Sequence, residues 1–310
     1  MKSPVVSIII PNYNHALYLD IRIQSILSQT FQEFEIIILD DCSTDNSRDV
    51  IEKYRTNPKV TQVVYNEKNS GSTFVQWSKG FELAKGEYIW IAESDDFCDQ
   101  TLLECLVNNI SSDKNNVIAF CKSQFVDSTG KKIGPFLQQE KNKNVKGKHF
   151  IFFCMVTENR ICNASSAIFR KDALIDIPKD YMSYKAAGDK LFWIEIARKG
   201  RVAIIGAPLN YFRQHAVKVS PKKQYDGTVY REEYDICYYL REIQCVKVFL
   251  YPFVKNHYIN QIYRCELESE NLRTELLQLW NVSMLNNKKL SFLIDGIYRK
   301  TLKLIFSLFT

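Results

Sequence analysis

Val5-Val6-Ser7-Ile8-Ile9-Ile10 is a nearly unbroken β-branched run that stops at Pro11. A strand with apolar residues on both faces must be covered on both faces. The run therefore predicts a strand inside a parallel sheet layered by helices. The following residues repeat the theme. Ala16, Leu19, Ile23, Ile26 and Leu27 fall at helical spacing, and Glu35-Ile36-Ile37-Ile38-Leu39 is a second buried strand. It runs into Asp40-Asp41 and the turn Cys42-Ser43-Thr44-Asp45, whose side chains suit the start of a helix carrying Val50, Ile51 and Tyr54. Val60 to Tyr65 reads as a third strand. Ser72 to Ala84 reads as a helix closed by Lys85-Gly86. Tyr88-Ile89-Trp90-Ile91-Ala92 is a fourth strand, ending in Glu93-Ser94-Asp95-Asp96. Alternation at this pace implies βαβ units and a mainly parallel sheet with helices on both faces.

The middle of the chain is less regular. Asn116 to Val126 reads as one or two strands, and Gly130 to Lys148 as a lysine-rich surface excursion. Asn163 to Arg170 suggests a strand and Lys190 to Arg198 a helix, followed by short strands at Val202 to Ile205 and Leu209 to Phe212. Beyond about Ser220, Gly and Pro thin out and Tyr, Leu, Glu and Arg recur at helical spacing. A boundary is expected there, with residues 1–220 as one domain and 221–310 as a helical C-terminal region. Near the end, Ile294, Ile297, Tyr298, Leu302, Ile305, Leu308 and Phe309 form one apolar stripe, with Lys288, Lys289, Arg299, Lys300 and Lys303 off it. Such a helix suits an anionic membrane surface, and equally a docking face on this chain or on a second subunit.

Composition narrows the class. Apolar residues are 46% and charged residues 25%, enough for a sizeable core and against wholesale disorder. Lys plus Arg number 41 against 35 acidic residues, and a net charge of +6 is too weak to propose nucleic acid. Nine cysteines are scattered, without metal-site spacing, which reads as reduced thiols in a cytoplasmic protein. The run at Val5 is too short for a signal core, and no stretch reaches the roughly 20 apolar residues that span a bilayer.

In an open parallel sheet, ligands bind at the carboxyl ends of the strands. Four consecutive strands here end in polar residues: Asn12-Tyr13-Asn14, Asp40-Asp41, Asn69-Ser70-Gly71 and Ser94-Asp95-Asp96. Each alone is an ordinary loop or capping group. Together they suggest a site. Adjacent carboxylates repel unless a cation or water lies between them, and a hard divalent cation shares oxygen ligands with substrate phosphates. No phosphate-cradling Gly-rich fingerprint follows the first strand, which argues against a P-loop NTPase and an ordinary dinucleotide enzyme.

Those segments, with Ser25-Ile26-Leu27-Ser28-Gln29-Thr30, Phe34-Glu35 and Ala84-Lys85-Gly86-Glu87-Tyr88-Ile89, resemble a family 2 glycosyltransferase of the Rossmann-like GT-A fold, the nucleotide-diphospho-sugar transferase fold. The resemblance is close over residues 4 to about 110 and patchier to about 220. It implies a nucleotide-sugar-binding region at 1–110 and an acceptor-side region at 111–220. It implies that Pro11 and Tyr13 pack on the nucleotide base, that Asp41 reads the base, and that Asp95 lies near the ribose and sugar. Asp96 matches a ligand of Mg²⁺ or Mn²⁺, and His215 a loop histidine that completes the metal shell. By residue type alone, His215 also fits an ordinary loop histidine. Asp189, ahead of Leu191-Phe192-Trp193, matches the catalytic base, although its residue type also fits a helix N-cap. The family often has Ala-Arg-Asn where this chain has Gln76-Trp77-Ser78, so a nucleotide-contacting arginine is missing or replaced by Lys79. The Gln-x-x-Arg-Trp motif of processive synthases is absent.

The implied activity is inverting, non-processive sugar transfer from a nucleotide-diphosphate donor, a UDP-sugar by preference. The acceptor is a saccharide or lipid-linked saccharide, in cell-surface polysaccharide synthesis such as capsule, O-antigen or exopolysaccharide. The implied place is the cytoplasm, peripheral to the inner face of the membrane, with oligomerisation open to the C-terminal helices. Three rivals remain: a sugar nucleotidyltransferase, a non-catalytic nucleotide-sugar-binding module, and a sugar-phosphate-binding structural protein.

Overall fold

The structure is a computed structural model describing residues 3–135, 137–214, 219–280 and 288–308. The chain divides into two compact units. The first contains Met1–Asn144, Ile161–Pro178 and Lys199–Ala216. The second contains Val145–Arg160, Lys179–Arg198 and Val217–Thr310. The segments 145–160 and 179–198 belong with the C-terminal helices.

The strands are β1 (Val6–Asn12), β2 (Phe34–Asp40), β3 (Val60–Tyr65), β4 (Tyr88–Ile91), β5 (Phe97–Cys98), β6 (Asn116–Val126), β7 (Lys143–Lys146), β8 (Ala167–Arg170) and β9 (Arg201–Arg213). Helices α1 (Ala16–Leu27), α2 (Ser47–Glu52), α3 (Thr73–Leu83) and α4 (Leu102–Ser111) complete the first unit. Its sheet runs in the order β3-β2-β1-β4-β8-β6-β9-β5. The first four strands in the chain are parallel, as the β-branched runs imply. Register aligns Asn12 with Asp40 and Asp40 with Tyr65, so three strand ends reach one rim together. Ile8 and Ile10 of β1 pack in a core with Leu19, Ile23 and Ile26 of α1, the one-face spacing read from the sequence. Ile9 points to the other face, where a Cβ added at Gly80 of α3 falls 2.5 Å from its Cγ2.

The second half of the sheet is mixed. β8 runs antiparallel to both β4 and β6, while β6 and β9 are parallel. The two short strands expected after Val202 are one strand of 13 residues, with register shifts against β6 near Lys122. Such shifts kink a strand without ending it.

The second unit contains α5 (Gly147–Phe150), α6 (Gly188–Arg198), α7 (Val219–Tyr225), α8 (Thr228–Glu242), α9 (Tyr251–Arg264), α10 (Glu270–Leu279) and α11 (Lys288–Leu308). A buried polar network joins α9 to α11. The Ser291 hydroxyl lies 2.5 Å from Asn256 Oδ1 and 2.7 Å from Asn260 Oδ1, and His257 Nδ1 lies 2.9 Å from Asp295 Oδ1. The inward face of α11 is therefore Ser291, Asp295, Tyr298 and Leu302, all buried. This divides the single stripe expected from the sequence. Tyr298 and Leu302 are core, Ile297 is outward with Leu293 and Leu304, and Phe309 lies outside the described residues. Among the described residues no helix is long and apolar enough to cross a membrane.

Candidate active site

The rim of the first unit is built from loops that bind one another. Asn12 Nδ2 donates to Asp40 Oδ2 at 2.8 Å, and Ser43 donates to the same carboxylate through its backbone N and its hydroxyl. Asn14, in the left-handed region at φ 54°, accepts from Thr44 N through its amide oxygen. Asp45 accepts from Ala16 N at the start of α1. Asp40 and Asp45 thus join the first loop to the second and fix the shape of the rim. Pro11 is buried inside β1, opposite Leu39, so of the two residues expected against a base only Tyr13 presents an open face, at 47% exposure.

Asp41 sits at the centre of a donor set. Oδ1 accepts from Asn66 Nδ2 at 2.6 Å, Ser70 N at 2.9 Å and Gln76 Nε2 at 2.9 Å, and Oδ2 accepts from the Ser70 hydroxyl at 2.7 Å. A carboxylate offers about four lone-pair sites, so an incoming N–H reaches Asp41 by displacing one of these donors. Lys79, expected at the nucleotide, donates to Asn66 Oδ1 at 2.7 Å, and the Asn66 amide donor faces Asp41. Gln76, the departure noted in the sequence, is one of the groups that hold Asp41.

Asp96 differs most from expectation. It is wholly buried, and both of its oxygens are occupied. Oδ2 accepts from Asn163 Nδ2 at 2.8 Å and the Ser165 hydroxyl at 2.7 Å, and Oδ1 accepts from Arg213 N at 3.0 Å. Burial, then the neighbouring Asp95 charge, pushes its carboxyl up to about 7. Glu93, which accepts from Trp77 Nε1 at 3.0 Å, is pushed up to about 8, first by burial. The guanidinium of Arg22 is buried 5.0 Å from the Trp90 ring and opposes both shifts. So Asp96, expected as the metal ligand, is a buried lock between the end of β4, the turn before β8 and the end of β9. Asp95 beside it is only half-buried.

The fit to a cation follows from this. Among the described residues no three His, Cys, Asp or Glu side chains form a metal-holding group. A hard cation shared with substrate phosphates needs only one or two protein carboxylates. Asp95 is half-buried, whereas Asp96 is wholly buried. His215, expected to complete the shell, lies outside the described residues.

The topology explains the residues that the sequence did not single out. Trp90 pairs with Ile168 across antiparallel strands, so the residues preceding β8 lie beside those following β4. That register brings Ser165 to Glu93 N, at 3.0 Å, and Asn163 to Asp96. Phe97 pairs with Tyr211 in the same sense, which sets Arg213 beside Asp95, whose carbonyl accepts from Arg213 Nε at 2.7 Å. Nothing local in the sequence marks Asn163, Ser165 or Arg213 for this work.

Asp189 belongs to the second unit, in the first turn of α6. Oδ1 accepts from Lys190 N at 2.7 Å and Oδ2 from Asn159 Nδ2 at 2.9 Å. Burial, and then the charge of Glu233, raise its carboxyl to about 6, against the pull of the Lys190 backbone N–H and ammonium. A carboxylate in that range takes up and releases a proton near neutral pH.

The sequence model described as Glycosyl transferase family 2 matches residues 7–177. The chain is 34% identical over 116 residues to glycosyltransferase GlyG of Streptococcus pneumoniae, covering 37% of this chain and 38% of that protein. It is 29% identical over 214 residues to the poly(ribitol-phosphate) beta-N-acetylglucosaminyltransferase TarP of Staphylococcus aureus, covering 67% and 62%. The matches thus span less than two thirds of these relatives' own lengths. The crystal structure of Staphylococcus aureus TarS 1-349 in complex with UDP-GlcNAc superposes with a TM-score of 0.65, at 21% identity, over 89% of this chain and 80% of that one. That likeness establishes the GT-A fold.

Proposed function

This chain belongs to glycosyl transferase family 2, and we propose that it moves a sugar from a UDP-sugar to an acceptor hydroxyl with inversion at the anomeric carbon. The acceptor oxygen bonds to that carbon as the bond to the diphosphate oxygen breaks. The acceptor proton passes to Asp189, and UDP leaves. The observation that carries the reading is the rim itself: parallel register brings Asn12, Asp40 and the loop of Asp41 to the strand ends, inside the residues that the family model matches. Tyr13 offers the nucleotide a stacking face, and Asp41, with Asn66, Ser70 and Gln76, offers a polar edge. Asp95 would hold Mg²⁺ or Mn²⁺, which would supply positive charge against the leaving diphosphate. Names of relatives support a cell-surface polymer as the acceptor, since TarP acts on poly(ribitol-phosphate).

The outward face of α11 supports attachment to the inner face of an anionic membrane. Leu293, Ile297 and Leu304 are exposed there, and Lys300 and Lys303 are exposed on the same helix. A second subunit on that face is the competing occupant.

Incubation with a panel of UDP-sugars and Mn²⁺ tests the activity through release of UDP. Slow hydrolysis of one or more donors is expected. A sugar nucleotidyltransferase instead releases pyrophosphate from a nucleoside triphosphate and a sugar 1-phosphate, and a binding module releases nothing. Either result overturns the reading.

A further inference from the structure

Glu232 and Glu233 are neighbours on α8, and successive residues of a helix point about 100° apart. Two adjacent carboxylates can therefore serve two different targets. The Glu232 carboxylate accepts from three consecutive backbone N–H groups: Lys185 at 2.7 Å, Ala186 at 2.9 Å and Ala187 at 2.8 Å. These residues lead into α6. A helix start leaves its first N–H groups without intrahelical partners, and here a carboxylate from another helix serves the approach to it. Glu233 takes the Lys190 ammonium at 2.6 Å, and that side chain is only 2% exposed. Lys190 also donates to the Tyr258 hydroxyl at 3.0 Å, and the Tyr258 ring stacks on Trp280 at 4.5 Å. A buried ammonium is stable only where it is paired and hydrogen-bonded, so this arrangement leaves Lys190 one position.

Asp189 lies between these two anchors. We propose that Glu232 and Glu233 are positioning residues for Asp189: the first clamps the backbone that leads into it, and the second holds the Lys190 ammonium in place beside it. The inference rests on the reading of Asp189 as the base. The ionisable groups acting on its carboxyl are Glu233 from α8, which disfavours the charge, and Lys190 from its own helix, which favours it. Neighbouring elements also bring Lys148 and His149 on α5 and Lys179 and Asp180 on the turn at 179–183. Asn159 is the neutral donor.

The test uses the full-length protein and the UDP-sugar it hydrolyses fastest, followed across pH. Glu233→Gln removes the like charge and frees Lys190. Both changes favour ionised Asp189, so the acid limb of the profile should move down by about 0.5–1 pH unit. kcat should fall several-fold while donor KM stays within about twofold. Glu232→Gln turns an amide donor toward the three N–H groups. It should lower kcat by about tenfold with the limb and KM unchanged. If Glu233→Gln fails to fold, the double variant Lys190→Met, Glu233→Gln removes both buried charges together and carries the test. Its limb should return to the wild-type position, and its kcat should stay at least about fivefold low. Wild-type kcat and an unmoved limb in the folded variants overturn the positioning role. Wild-type turnover in Asp189→Asn overturns the base reading beneath it.

Discussion

As the proposed base, Asp189 needs a value high enough to accept a proton and low enough to be ionised when the acceptor arrives. Its carboxyl, raised to about 6 mainly by burial, meets both needs. The base works ionised, so kcat/KM should climb as pH rises through about 6 and level off above it. The same shift has the opposite effect on stability. The folded state holds this proton more tightly than the unfolded chain, so the group's contribution to stability falls between about pH 4 and its folded value. Asp189→Asn keeps size and hydrogen bonding but removes the proton acceptor. Turnover should fall on the order of 10²-fold, with donor affinity nearly unchanged in calorimetry. The pair Asp95 and Asp96 should separate in the same kind of experiment. Asp96→Ala leaves Asn163, Ser165 and the Arg213 N–H without their acceptor. It should destabilise the fold by on the order of 3 kcal/mol in denaturant. Asp95→Ala should leave the denaturation midpoint nearly in place and remove the dependence of nucleotide affinity on divalent ions. The reverse outcome restores Asp96 as the ligand.

The link from α3 to β4 shows how an element is placed by a few atoms. The Ser7 hydroxyl donates to Glu35 Oε1 at 2.7 Å and accepts from Gly86 N at 2.8 Å, tying β1 and β2 to the turn after α3. A Cβ at Gly86 would stand 2.6 Å from Ser7 N and 2.8 Å from the Val6 carbonyl carbon. Backbone cannot yield as a side-chain tip can. Gly86→Ala should therefore lose about 1–3 kcal/mol in thermal or chemical denaturation. A variant as stable as wild type would mean that the turn relaxes. In the sequence, Lys85-Gly86 reads only as the end of a helix, because the strand it touches lies 78 residues earlier. The first four strands were legible for the opposite reason: each is a run of β-branched residues between polar turns, a purely local signal. The reversal of β8 has no such signal, since Ala167 to Arg170 reads the same in either direction.

At the scale of the molecule, α11 has two faces with different fates. Removing the whole helix would strip its polar partners from Asn256, His257 and Asn260, so point changes on the outward face are the cleaner probe. Leu293→Ser, Ile297→Ser and Leu304→Ser together should release the protein from anionic vesicles at low salt, while UDP release from soluble donor persists. Each exposed change should alter stability by no more than about 0.5 kcal/mol. If the intact protein ignores such vesicles and its sedimentation shifts with the triple variant, a second subunit covers the face. The sheet-and-helix class, the parallel first half and the rim of strand-end carboxylates are legible in the sequence, because periodicity and turn chemistry are written within a few residues. The sequence also offers Asp189 as a candidate base, through a motif rather than through its surroundings. The surroundings of each carboxylate come from packing. An antiparallel strand and the end of β9 close over Asp96 and leave Asp95 half-buried, and two glutamates more than 40 residues downstream surround the segment of Asp189. Burial and charge at a site are sums over neighbours from distant parts of the chain, and no local pattern records them.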